Sequence, residues 1–148
     1  MTDIDKSIER ILDSYGAAVH AKDVAAFIRL YHPDVRVFDA WGVWSYEGAE
    51  AWQRAVEAWF TSLGTERVKV RFDDVRTSEG RESAVVSAIV TYAGVSAAGV
   101  HLRAMQNRLT WGLKTSGHVL RIVHEHTSVP IGFEDQKAIL LRPGESRA

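Results

Sequence analysis

The chain contains no cysteine, which excludes disulfides and thiolate chemistry and leaves the redox compartment open. No apolar run approaches the length needed to cross a membrane. GxGxxG, P-loop, GxSxG and HExxH patterns are absent, so nucleotide and hydrolase readings have no handle. Neither sign of charge dominates: 18 Lys and Arg against 19 Asp and Glu leave a formal net charge of -1. That balance carries no footprint for nucleic acid or an anionic membrane, and neither is expected as a partner. The segment MTDIDKSIER is charged from its start and has no signal-peptide core, so a cytoplasmic location is expected.

What is present suits one globular domain. The 148 residues can bury a substantial core, and 46% hydrophobic with 25% charged residues is ordinary for such a domain. Five tryptophans suggest an aromatic-lined core or cavity. We expect the domain to span residues 1–131 and a C-terminal tail to span 132–148, with Ala138 to Leu141 docking on the body or on a partner subunit.

Thr2 with Asp5 forms a capping-box pattern, after which Ile4, Ile8, Ile11, Leu12, Tyr15 and Val19 make one apolar stripe. Tyr15 lies on it, either as a core tyrosine bonded to the backbone or facing a cavity. Asp23 can cap a second helix carrying Val24, Phe27, Ile28, Leu30 and Tyr31, ended by His32-Pro33. A short strand, Val35 to Asp39, follows. Asp39 shares the parity of Val35 and Val37, so it either ends an apolar face or caps a turn in water. A third helix is expected from about Ala49 to Leu63.

From Arg67 the period changes to two. Strands are expected near Val68–Phe72, Ala84–Ala93 and Leu102–Trp111, the last with Leu102, Ala104, Gln106, Arg108 and Thr110 on one face. His118 to Pro130 reads as one long strand in which His124 and His126 extend the face of Leu120 and Ile122. Two imidazoles on an apolar face need polar partners, which suggests a pocket beneath the sheet. Helices followed by antiparallel strands describe an α+β domain.

The order of elements, with HPDVRVFDAWGVWSYEGAEAW after helix two and RIVHEHTSVP in the last strand, resembles the NTF2-like superfamily. Within it the chain is most similar to SnoaL-like domains and to the association domain of calcium/calmodulin-dependent kinase. The resemblance implies a cone, in which a curved antiparallel sheet wraps the N-terminal helices around a cavity, and dimers or larger rings built through the sheet. A second resemblance, to ketosteroid isomerase, aligns SYGAAVHAKD through RVFDAWG without a gap. It implies Tyr15 as hydrogen-bond donor and Asp39 as base, with Gln106 where that enzyme holds a protonated aspartate.

Proton transfer beside a carbonyl needs such a base and a donor at the developing enolate oxygen. The candidate site is therefore catalytic Asp39 and Tyr15, with Gln106, Arg108, His124, His126, Trp41 and Trp59 contacting ligand. Arg108 receives a ligand carboxylate or makes a rim salt bridge to Glu125 or Glu134. Trp41, Trp44, Trp59 and Trp111 wall the cavity or fill the core. His124 and His126 are spaced to share a metal, but no third ligand stands nearby and none is expected. The expected function is a cofactor-independent acid–base isomerase or cyclase acting on a small apolar carbonyl compound, as a homodimer. The alternative is a non-catalytic ligand-binding or assembly domain.

Overall fold

A computed structural model describes residues 2–145. Helix α1 (Asp3–Ala21) opens with the capping box: Asp5 N–H donates to Thr2 Oγ1 at 3.0 Å, and Thr2 N–H donates back to Asp5 Oδ2 at 3.1 Å. Its buried stripe is Ile8, Ile11, Tyr15, Ala18 and Val19. Helix α2 (Val24–Ile28) is capped by Asp23 and is shorter than its apolar residues suggest. The chain has already become strand β1 (Tyr31–Phe38) at Tyr31. Pro33 explains this, because it drives the residue before it out of the helical region and into extended backbone. After β2 (Tyr46–Glu47), helix α3 (Ala49–Ser62) buries Trp52, Val56 and Phe60.

Four long strands follow: β3 (Arg67–Glu79), β4 (Ser83–Val95), β5 (His101–Ser116) and β6 (Val119–Ser128). They join β1 and β2 in a six-stranded sheet of order β2-β1-β6-β5-β4-β3. The sheet is curved and unclosed, and it is mixed, because β1 and β6 run parallel while the other neighbours are antiparallel. The helices cover its inner face. Helix α1 packs on β3 at Gly16, where a Cβ would sit 3.8 Å from that of Val70, an ordinary van der Waals contact. Among the described residues no helix is long and apolar enough to cross a membrane.

The last strand departs from simple alternation. Leu113 pairs with Ile122 but Gly112 pairs with His124, leaving Val123 as an unpaired extra residue. Leu120 and Ile122 are buried before this bulge, and Glu125 and Thr127 are buried after it. An extra residue exchanges the two faces of a strand. His124 and His126 therefore point outward rather than extending the Leu120–Ile122 face.

Beyond Pro130 the chain makes a turn closed by an Ile131–Ala138 bridge and returns alongside β5. Gln106 N–H donates to Leu140 O at 2.7 Å, where β6 no longer covers β5. The buried Gln106 side chain clamps this return: Oε1 accepts from Arg142 N–H at 2.9 Å and Nε2 donates to Thr91 Oγ1 at 3.0 Å. Gln106→Leu strands both partners and should lower stability by about 1–3 kcal/mol. The expected result is a lower urea midpoint, with faster amide exchange at Arg142.

Candidate functional site

Inside the curve lies a cavity of about 680 Å³, within the range of small-molecule sites. Its wall is largely apolar and aromatic, with Tyr46, Trp52, Val56, Trp59 and Val68 contributed from α3 and the neighbouring strands. Polar groups enter from several elements. Tyr15 comes from α1, Asp39 from the residue after β1, Tyr92 and Asn107 from β4 and β5, and Glu125 from β6.

Asp39 reaches the cavity because it continues the parity of the buried Val35 and Val37. Its Oδ1 accepts from Thr127 Oγ1 at 3.0 Å. Burial raises its pKa, and this outweighs the Thr127 hydroxyl and the backbone amides of Trp41 and Ala40, which favour the charged form. Tyr15 Oη lies 2.8 Å from Tyr92 Oη, and the Tyr15 ring is held by Phe27, Phe72 and Trp111 at centroid distances of 5.0–5.6 Å. Burial pushes both phenols well above their ordinary range, so each remains a neutral O–H.

Glu125 is the buried carboxyl at the centre of the site, at 1% exposure. Its Oε1 accepts from Tyr31 Oη at 2.5 Å and from Trp111 Nε1 at 2.9 Å. Burial raises its pKa to about 7, against the pull of these two donors, and the nearby Asp39 charge adds to the rise. Trp52 Nε1 lies near the Tyr31 hydroxyl without meeting hydrogen-bond geometry, and Asn107 Oδ1 has no partner among the described residues.

Four of the residues expected from sequence come together here: Tyr15, Asp39, Trp41 and Trp59 all line the cavity. Four do not. Gln106 is buried on the opposite face of the sheet, where it grips the tail, and its neighbour Asn107 takes the inward position. Arg108 is exposed and its Nε donates to Ser128 Oγ at 3.0 Å. Strand alternation accounts for both, since Leu109, Trp111 and Leu113 fix the inner face of β5. His124 and His126 are turned out by the Val123 bulge, and their rings pack edge-on around Phe38 at 5.2 and 5.4 Å. Trp44 is 97% exposed and neither walls the cavity nor fills the core. Sequence reasoning missed Tyr92, Asn107 and Glu125. The available signals were the inward Leu109–Trp111–Leu113 alternation and Gly112, a strand-interior glycine of the kind that marks a bulge. Among the described residues no group of three His, Asp or Glu is placed to hold a metal ion.

An α+β cone with helices on the inner face of a curved sheet, and a cavity between them, is the NTF2-like fold. The chain belongs to the SnoaL-like domain family of that superfamily, whose model matches residues 8–132. The solved structures agree on the fold. An NTF2-like protein of unknown function from Pseudomonas putida KT2440 superposes with a TM-score of 0.82 at 21% identity, covering 97% of this chain and 99% of that one. Aln2 from a Streptomyces species gives 0.76 at 15% identity, with 86% and 91% covered. A candidate calcium/calmodulin-dependent protein kinase II association domain from Xanthomonas campestris gives 0.65 at 19%, with 82% and 84% covered. No curated protein matches the sequence.

The raised Glu125 pKa has a stability consequence. The folded state binds this proton more tightly than the unfolded chain, whose value is near 4.5. The contribution is complete below the unfolded value and is lost as pH rises through about 7. Its size is of order 3 kcal/mol. Glu125→Gln, which keeps an acceptor for Tyr31 and Trp111, should flatten this dependence and raise stability at pH 8. Urea midpoints at pH 5 and pH 8 for both proteins measure it.

Proposed function

We propose that this protein is a cofactor-independent isomerase or cyclase that moves a proton on an apolar carbonyl compound of steroid- or polyketide-like size. The observation that supports it is the meeting of Asp39 and Tyr15 in one apolar cavity. Asp39, ionised, takes a proton from the carbon beside the carbonyl. The Tyr15 hydroxyl, paired with Tyr92, donates to the oxygen on which negative charge grows. Glu125 faces the same space as a carboxyl that keeps its proton to near neutral pH, and so acts as the acid opposite Asp39. The low-polarity wall strengthens each of these contacts. A homodimer formed through the outer face of the sheet, where His126 is exposed beside Phe38, is part of this reading.

A second reading, a non-catalytic ligand-binding or assembly domain, draws support from the fold shared with the association-domain structure. The two part on chemistry. Cyclic aryl and alicyclic ketones incubated with the protein in D2O should gain deuterium at the α-carbon faster than in buffer. Asp39→Asn should lower that rate by about 10²–10⁴-fold, and Tyr15→Phe by about 10²-fold. The rate should rise with pH as Asp39 ionises and fall as Glu125 loses its proton around pH 7. Asp39→Asn with an unchanged rate removes the catalytic reading and leaves the binding one.

A further inference from the structure

The polar groups of the cavity fall into two places. Asp39, Glu125, Tyr15, Tyr92 and Asn107 form the cluster already described. Arg103 stands apart, and among the described residues that line the cavity it is the one cation. It also marks the opening, since its side chain is 62% exposed while it still contributes to the wall. Trp41, at 55% exposure, is likewise a lining residue that reaches solvent.

Two features hold the guanidinium in place. Arg103 is paired across the ladder with Gly94, and a Cβ built on that glycine would lie 3.6 Å from Cγ and from Cζ of the arginine. The side chain thus lies flat on bare backbone, and Gly94 itself lines the cavity. Glu66, just after α3, accepts from Nη2 at 2.5 Å and fixes the plane. A guanidinium presents five N–H donors in a rigid fork, so one carboxylate on one amino group does not exhaust it. Along β5 the step from Arg103 to Asn107 is four residues, on the order of 13 Å. Fused rings with a carboxylate on a short arm reach across that distance once a contact of about 3 Å is added at each end.

We propose that Arg103 is the specificity-determining residue of the cavity and receives a carboxylate at the end of an otherwise apolar ligand. The carbonyl of that ligand is then carried inward, toward Asp39 and Tyr15. The proposal rests on the cavity being the ligand site, and it names the substrate class as aromatic or alicyclic keto acids rather than neutral ketones.

The test compares 2-naphthylacetic acid with its methyl ester by isothermal titration at low salt. Wild-type protein should bind the acid about tenfold more tightly than the ester. Arg103→Met, at a site exposed enough to accept it, should bring that ratio to near one. Arg103→Lys should leave an intermediate preference, since it keeps the charge and loses the fork. Glu66→Gln removes the competing carboxylate and should tighten the acid further. A ratio near one in the wild type, or an unchanged ratio in Arg103→Met, overturns the proposal alone. Failure of both probes to bind overturns it together with the ligand-site reading. The catalytic reading is tested separately, by deuterium exchange into a neutral ketone, which does not depend on the acid-to-ester ratio.

Discussion

A strand repeats every two residues, so one unpaired residue decides which half of its side chains a core receives. Val123 is that residue in β6. Without it the buried face begun by Leu120 and Ile122 would carry two imidazoles inward and leave Glu125 outside. With it, Glu125 and Thr127 enter, and each becomes a fixed point of the interior. Thr127 holds Asp39 from below, accepting the Ala40 amide at 2.9 Å while donating to the carboxylate. Glu125 gathers Tyr31 from β1 and Trp111 from β5. The parallel pairing of β1 with β6 completes the arrangement, because it sets Val37 beside Glu125 and carries the next inward position, Asp39, to Thr127.

A carboxyl at 1% exposure is costly unless it is neutral or well supplied with donors. Glu125 uses both routes. One oxygen takes two hydrogen bonds, and burial keeps the proton on the group to near neutrality. The aromatic residues around it have a corresponding double role. Tyr31 and Trp111 fill volume in the core and also supply the polar hydrogens that a buried acid demands. Five tryptophans in 148 residues are thus only partly a matter of bulk.

Much of this fold was legible in the residues. The Thr2–Asp5 box, the α1 stripe, the α3 span and the change of period at Arg67 each depend on local pattern, and local pattern is what sequence displays. The family likeness carried by HPDVRVFDAWG and RIVHEHTSVP followed from the same segments. Tyr15 and Asp39 line the cavity on the faces that their helix stripe and strand parity offered as one of two alternatives, the ones the ketosteroid isomerase resemblance also implied. Glu125 was missed, because a bulge is a property of two paired strands, and nothing within RIVHEHTSVP alone distinguishes it from a regular strand. Gln106 failed for a related reason. Its strand has two plausible faces, and the choice depends on the tail that returns to cover one of them.

That returning tail is the part of the wall that lies outside the residues shared with the family. Leu140 lines the cavity, yet the family pattern spans only residues 8–132. The polar cluster and one side of its vestibule are therefore encoded by separable stretches of chain. Such a division makes the wall modular: a change confined to the tail reshapes the surface around Leu140 without touching the residues of the cluster.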